Sequence, residues 1–380
     1  MCQVLTFIIS GFWYTSGMKK KIKVGIIFGG KSAEHEVSLQ SAKNVIDALD
    51  KDKYEPVLIG IDKKGTWHLQ DKSDFLLNSS NPKLITLNKR SELIATVPDK
   101  QNQSIVVLSQ DRKQEKIDVV IPILHGPFGE DGTIQGLLKL MDLPFVGSSV
   151  LGSAIGMDKE VTKKLLRDAG IPIGKFLTIT DPKQINFAKA KKALGLPMFI
   201  KPANMGSSVG VSKVKNEKEF YTAIELAFQY DLKVIVEEMI KGREIECSVL
   251  GNDDPIASIP GEIIVRSEFY SYEAKYIDEN GAKLAIPAEL PKETVKKVQT
   301  IAVAAFKALC LQGMARVDFF LRPNGDVLVN EANTIPGFTK ISMYPKLWEA
   351  SGISYTKLID KLIELAIDRY QKEKNLKTSY

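Results

Sequence analysis

Between Met314 and Gly337 the chain reads MARVDFFLRPNGDVLVNEANTIPG, with two runs rich in Val, Leu and Phe flanking Asn324-Gly325. An Asn-Gly pair so flanked is the strongest short-range signal for a two-residue turn, and the stretch is expected to be an antiparallel hairpin. With Pro323 facing Asp326, counting outward sets Asp318 opposite Glu331 and Arg316 opposite Asn333. Period-two alternation puts all four on one face and turns Phe319 and Leu321 toward a core. Directly opposed carboxylates repel, so a chain that keeps them usually holds a cation between them. Two carboxylates and an amide oxygen suit magnesium, which completes its shell with water and substrate phosphates. The face therefore points to nucleotide chemistry. The alternative is that Arg316 neutralises the carboxylates on a solvated surface.

At 380 residues the chain exceeds one ordinary core, and two or three domains are expected. It is ordinarily globular, with 44% hydrophobic and 26% charged residues. The net charge of +6 is spread along the chain, with one basic tract at Lys19 to Lys23 and no interleaved aromatics. That pattern points away from nucleic acid and is compatible with drawing in anionic substrates. Cys2, Cys247 and Cys310 are few and far apart, as in a reducing compartment. Residues 1–17 differ in character from the rest of the chain: the apolar run Val4 to Tyr14 is too short to span a bilayer, and Met18 opens MKKKIKVGIIFGG. The expectation is that 1–17 derive from an upstream start and do nothing, a short membrane anchor being the alternative.

From Lys23 to Phe28 an apolar run ends at Gly29-Gly30, and Val37, Val45, Ile46 and Leu49 recur at helical spacing. A strand, a glycine turn and a helix open a doubly wound parallel sheet, with a crevice at the strand's carboxyl end. The third glycine of the dinucleotide fingerprint is missing, which favours a small-molecule site over a nicotinamide cofactor. Glu34 in that turn can meet an ammonium, whereas His35 reads as a surface residue. Further strands fit Pro56 to Ile61 and Ile117 to Leu124, the latter running into HGPFGEDG with a helix from Thr133. Glu130 and Asp131 then sit at the first turn of that helix, and His125 at the crevice mouth, as a site residue or as a satisfied structural histidine. Leu77 to Gln114 reads as loops with a short strand at Ile105 to Leu108.

A second domain is expected from near Gly147. Lys159 to Ala169 forms an amphipathic helix closed by Gly170, and Pro197 to Lys201 a strand leading into PANMGSSVG. Its Gly206 to Gly210 core can expose successive backbone N–H groups to a phosphate, or be a plain hairpin, and Lys201 before it can reach phosphate oxygens. Lys233 to Ile240 is a strand able to line an adenine pocket, with Glu237 and Glu244 as acceptors or as edge charges. After a strand at Arg243 to Gly251, an irregular segment from Arg266 to Pro291 holds Tyr270, Tyr272, Lys275 and Tyr276, and loops that long are commonly lids. A helix from Lys292 to Cys310 precedes the hairpin, and one from Tyr355 to Tyr370 closes the domain.

In order, GGKSAEHEVSL, LHGPFGEDG, KPANMGSSVG, YEAKY, RVDFF and NEANTIPG resemble the successive motifs of the D-alanine:D-alanine ligase family, within the ATP-grasp superfamily. The likeness runs from about Lys23 to Arg369. It implies an α/β, three-domain ATP-grasp architecture: a substrate-binding domain at 18–147, then two α+β domains clasping ATP, a central one at 148–242 and a catalytic one at 243–380 with a lid at 266–291. By the same resemblance Lys159, Lys201, Ser208, Glu237, Ile240 and Glu244 contact ATP. Asp318, Glu331 and Asn333 hold two magnesium ions, for which manganese can substitute. Glu34 anchors the first D-alanine's ammonium beside His125, while Lys275, Ser342 and Met343 hold the second D-alanine. Arg316 and the Gly337 N–H form an oxyanion site, and Glu34, Ser207 and Tyr276 a triad clasping the lid. His35 and Glu238 stand where some members carry basic residues. The implied product is D-alanyl-D-alanine for peptidoglycan, made through a D-alanyl phosphate by a cytoplasmic homodimer. Rival readings are another ATP-grasp ligase, making an L-amino-acid dipeptide or a D-alanyl ester, and a nucleotide-binding module without catalysis.

Overall fold

A computed structural model describes residues 20–71, 74–79, 81, 84–88, 92–96, 104–107, 114–184, 186–265 and 282–377. The leader at 1–17 and the lid residues Tyr270, Tyr272, Lys275 and Tyr276 lie outside the described residues.

The fold is mixed α/β, built on three main sheets. The first contains β1 (Ile22–Gly29), β2 (Tyr54–Ile61), β3 (Trp67–Gln70), β6 (Glu92–Thr96), β7 (Ser104–Val107), β8 (Gln114–Lys116) and β9 (Val119–Ile123) in the order β8-β7-β6-β3-β2-β1-β9, while β4 (Leu76–Leu77) and β5 (Thr86–Leu87) pair separately. Only the centre is parallel, β1 pairing with both β2 and β9; the rest is antiparallel, so the expectation of a doubly wound parallel sheet holds for three strands alone. The cause lies after Ile61. Asp62 Oδ1 accepts from the N–H groups of Lys64 (2.8 Å) and Thr66 (2.9 Å), and Gly65 sits at φ +89°, so the chain turns straight back as a hairpin without a crossover helix. The region expected to be loops with a short strand at Ile105 to Leu108 has that strand as Ser104–Val107 and, among its described residues, two more, Thr86–Leu87 and Glu92–Thr96, all paired antiparallel.

The second sheet holds β10 (Phe176–Ile179), β11 (Met198–Pro202), β12 (Ser212–Val214) and β13 (Val234–Glu238), in the order β10-β13-β11-β12. The third holds β14 (Arg243–Gly251), β16 (Gly261–Val265), β17 (Ala282–Ala285), β18 (Gly313–Leu321) and β19 (Val327–Asn333) in the order β17-β16-β14-β18-β19, with β15 (Ile256–Ala257) beside β14. Part of the expected irregular segment 266–291 is therefore strand, at Ala282–Ala285. Helix Lys292–Ala308 buries Val298, Ala302, Ala305 and Phe306 against Ile245, Cys247, Val317 and Phe319 of this sheet. Helix Tyr355–Lys374 buries Leu358, Ile359, Leu362, Ile363 and Ala366 in one cluster with Val24, Phe28, Leu39 and Val45. At about 1.5–3 kcal/mol for each large aliphatic side chain, that helix completes the N-terminal core as well as the C-terminal one.

The hairpin is present, but its turn differs from the expected one. Arg322 pairs with Asp326 (N–H to O, 2.9 Å), Gly325 N–H closes on Arg322 O (3.0 Å), and Gly325 adopts φ +84°. This is a three-residue loop ending in a left-handed glycine. Its register gives Leu321↔Val327 and Phe319↔Val329, one residue away from the expected count. A β-bulge beyond Phe319 passes over Asn330, and the pairs Asp318↔Glu331 and Arg316↔Asn333 then fall as expected.

Candidate active site

The three sheets meet at a cleft of about 460 Å³ whose walls include every site residue expected from the sequence that lies among the described residues. Arg316 donates from Nε and Nη2 to the two oxygens of Asp318 (both 2.7 Å) and lies 3.0 Å from Glu246. Asn333 Nδ2 donates to Asp318 Oδ2 at 3.0 Å. The guanidinium thus pairs with Asp318 away from solvent, not on the solvated surface of the alternative reading, while Glu331 stands opposite. Among the described residues there is no cluster of three or more His, Cys, Asp and Glu poised for a metal. Two carboxylates and one amide oxygen nonetheless match the hard, sparse protein donor set of magnesium. Glu246, opposite Asp318 on β14 and 5% exposed, was not anticipated. Its signal was the period-two spacing from Glu244 along REIECSVLG.

The other wall is cationic. Asp158 caps helix Lys159–Asp168, accepting from Glu160 and Val161 N–H (3.0 and 3.1 Å), so Lys159 opens the helix and Lys163 follows one turn later on the same side. Lys159 Nζ donates to Met205 O (2.6 Å), and its pKa is lowered by burial. Glu237 on β13 receives two ammoniums: Lys163 is 2.7 Å from Oε1, and Lys201 is 2.5 Å from Oε2. Burial opposes ionisation of Glu237, but the two lysines overcome it and hold the carboxyl down to about 2. Burial likewise opposes the Lys201 charge, and Glu237 with Glu331 raises its pKa in spite of it. Three buried or nearly buried lysines gathered about Glu237, with Glu331 in reach of two of them, form a cationic wall that suits a polyphosphate. Sequence reading missed Lys163, which looks like one more polar position of an amphipathic helix.

Between the walls Ser207 donates to Glu34 Oε1. Ser207 and Ser208 take φ +48° and +62°, and Val209 N–H closes on Gly206 O (3.1 Å), a turn with both central residues left-handed. Such backbone costs non-glycine residues of order 1–3 kcal/mol, and it collects at functional loops. A Cβ at Gly206 would stand 3.0 Å from Glu34 Oε2, so glycine lets the loop approach that carboxylate without displacing its end.

The segment Ile335–Phe338, which carries Gly337, is held from the N-terminal side. His125 Nδ1 lies 3.1 Å from Ile335 O; a carbonyl only accepts, so Nδ1 bears the proton. Burial lowers the His125 pKa, outweighing Glu34, and the neutral ring then accepts at Nε2 from Ser41 Oγ (3.2 Å). Ser41 Oγ accepts in turn from Phe338 N–H (3.2 Å), and Phe338 O accepts from Asn44 Nδ2 (3.0 Å) and Tyr355 OH (2.9 Å). Glu130 accepts from Gly126 N–H (2.9 Å) and Ile335 N–H (3.2 Å). His125 therefore lines the cleft with both ring nitrogens engaged. His35, 4% exposed and bonded through Nδ1 to Gly30 O (2.7 Å), is no surface residue. Glu238 accepts from Lys175 N–H (2.8 Å). Ser342 and Met343 stand at the start of helix Met343–Ala350, where N–H groups favour a carboxylate. Ser342 Oγ accepts from Thr339 N–H at 2.9 Å and would lie 2.8 Å from a Cβ on Gly337.

Family models described as D-ala D-ala ligase N-terminus and D-ala D-ala ligase C-terminus match residues 23–148 and 165–364. A D-alanine--D-alanine ligase of Oceanobacillus iheyensis is 59% identical over 364 residues, covering 95% of this chain and 99% of that one. The D-alanine-D-alanine ligase structure from Coxiella burnetii superposes with a TM-score of 0.82 at 41% identity, covering 93% and 96% of the two chains. The Bacillus anthracis D-alanine--D-alanine ligase complexed with ATP gives 0.69 at 32% identity, covering 93% and 99%.

Proposed function

The chain belongs to the D-alanine--D-alanine ligase family, and from that membership we infer that this cleft joins two D-alanine molecules at the expense of ATP. The product, D-alanyl-D-alanine, is a precursor of peptidoglycan. The observation that carries the reading is the meeting of two charge systems in one cleft: the facing Asp318 and Glu331 on one wall, and Lys159, Lys163 and Lys201 on the other.

Glu34 binds the ammonium of the first D-alanine, and His125 and Glu130 hold the backbone beside it. A carboxylate oxygen of that D-alanine attacks the γ-phosphorus of ATP, ADP departs, and D-alanyl phosphate forms. Lys159, Lys201 and Ser208 bind phosphate oxygens, while Glu237, Ile240 and Glu244 surround the nucleoside. Asp318, Glu331 and Asn333 are the residues for two magnesium ions, with manganese as substitute, and such ions neutralise phosphate charge during transfer. Ser342, the Met343 N–H and Lys275 hold the second D-alanine's carboxylate. Its amine, having lost a proton, attacks the acyl carbon, and phosphate leaves. Arg316, anchored by Glu246, and the Gly337 N–H stabilise the tetrahedral oxyanion. Tyr276 with Ser207 and Glu34 closes the lid over the acyl phosphate and keeps water from it.

The three sheets support a division into domains at 18–147, 148–242 and 243–380, the two later domains clasping ATP, while a lid within 266–291 rests on the family resemblance. A homodimer is our proposed assembly: Leu140 and Leu151, 77% and 61% exposed on neighbouring helices, offer apolar surface, and sedimentation velocity tests it. Among the described residues no helix is long and apolar enough to cross a membrane, and Cys247 and Cys310 are free. The demand of the reaction for ATP is what supports a cytoplasmic site. The decisive assay measures phosphate release from ATP with D-alanine, L-alanine and D-lactate as acceptors, with the product identified by mass. Release driven equally by L-alanine would overturn the assignment.

A further inference from the structure

Lys163 links the cationic wall to strand β19 of the hairpin, yet no step of the reaction as described uses it. It is 3% exposed, its ammonium is 2.7 Å from Glu237 Oε1, and it donates to Asn330 O at 3.4 Å. Glu237 is thus shared between two lysines, with Lys201 2.5 Å from its other oxygen. As Lys201 turns toward a phosphate it shares its ammonium donors between that anion and Glu237, and its hold on Glu237 weakens. A buried carboxylate deprived of its partner is strongly unfavourable, and Lys163 is the cation that stays. Its second contact is longer and weaker, but falls at a particular place. Asn330 is the residue passed over by the strand register, and bulged residues lose their place in the ladder.

We propose that Lys163 is a positioning residue that keeps Glu237 charge-compensated while Lys201 moves to the nucleotide phosphates, and that fixes the Asn330 bulge on which the Asp318–Glu331 pairing depends. The proposal rests on the reading that ATP lies against Lys201 and Glu237. Through Lys163 the purine end and the metal end of the site share one ammonium. Occupation at one end then alters the hold on the other.

The test uses the full chain with Lys163→Met, Lys163→Arg, Lys201→Met, Glu237→Gln and the double variant Lys163→Met/Glu237→Gln. Lys163→Met should raise KM for ATP about tenfold or more, the scale of lost support behind a ligand. It should also raise the Mg2+ concentration for half-maximal activity, and leave KM for D-alanine within about twofold. Lys163→Arg should recover part of both effects. The ATP penalty should shrink in the Glu237→Gln background, where no carboxylate needs compensation. If Lys163→Met alone fails to fold, the double variant removes the uncompensated charge and should fold, and the Mg2+ dependence is read there. Unchanged ATP and Mg2+ constants in Lys163→Met, with Lys201→Met and Glu237→Gln still weakening ATP, would overturn this proposal alone. If Lys201→Met and Glu237→Gln also leave ATP binding unchanged, the nucleotide reading fails instead.

Discussion

Asp318 and Glu331 face each other because one residue, Asn330, is left out of the ladder beside them. Along β19 the core takes Val327 and Val329 and then Ala332, so the inward parity changes from odd to even at the bulge. Without it Glu331 would follow Val329 into the core, and no pair of carboxylates would line the cleft. Bulges next to active sites re-aim side chains in this way.

Glu331→Gln should abolish ligation without unfolding the protein. Losing one carboxylate from a two-carboxylate site should cut turnover on the order of a hundredfold or more and raise the Mg2+ requirement. The metal-free protein should melt within about two degrees of wild type, because relief of the cross-strand repulsion is set against a weaker hold on Lys159 and Lys201. Calorimetry beside Mg2+ titrations of activity gives the answer; a collapsed melting transition would mean that Glu331 serves the fold.

Arg369→Met probes the fold away from the chemistry. The guanidinium is 6% exposed, donates to Gly147 O and to Phe145 O (2.7 Å for the latter), and lies 4.5 Å from the Phe145 ring centroid. Methionine keeps bulk and orphans two carbonyls, a loss of about 2–4 kcal/mol. The melting midpoint should fall by several degrees while KM for ATP holds. An unchanged midpoint would show that water replaces those bonds at no cost.

The site was more legible in the sequence than the fold was. Turn chemistry and period two led to Asp318 opposite Glu331, although the route contained two errors that cancelled. The turn holds three residues, not two, and the bulge at Asn330 returned the missing position. A bulge leaves little trace in one sequence, since VLVNEAN reads equally well as an even alternation. Trp67–Gln70 and Glu92–Thr96 were missed because they carry polar residues and leave much of their length accessible, whereas Ser104–Val107 was read one residue out, and Ile22–Gly29, buried over most of its length, announces itself. Glu246 and Lys163 were hidden for another reason: their partners are distant in the chain, and neither belongs to a recognisable motif.

Glu130→Gln should change how stability depends on pH. Burial and then the charge of Glu34 push the Glu130 carboxyl up to about 8, against the smaller opposing effects of the Gly126 and Ile335 N–H groups. In the unfolded chain it titrates near ~4.3. Below that value both states hold the proton and the group favours neither. As pH rises toward 8 the unfolded state releases the proton while the folded state keeps it, so stability is lost across that window. The midpoint of Glu130→Gln relative to wild type should therefore rise from pH 5 to pH 8 in ligand-free protein, read by thermal melts in matched buffers. A constant difference would place the Glu130 pKa near its ordinary value.

His125→Leu and His125→Asn test whether this histidine acts through the backbone it holds. Its Nδ1–H ties down Ile335 O, and its Nε2 fixes Ser41, which receives the Phe338 N–H; Gly337 lies between those two anchors. Leucine fills the space and removes both bonds. A donor displaced from a developing oxyanion costs up to 10²–10³ in turnover when lost outright, and a loosened one should cost about tenfold to a hundredfold. Asparagine can still donate to Ile335 O and should recover part of the loss. KM for ATP should stay within about twofold in both variants, because the nucleotide wall is built from other elements. A proton-transfer role would read differently: His125→Asn would then be as inactive as His125→Leu, and the acid limb of the kcat profile would vanish in both. Equal loss in the two variants, with a changed pH profile, would overturn the positioning role and return His125 to the chemistry.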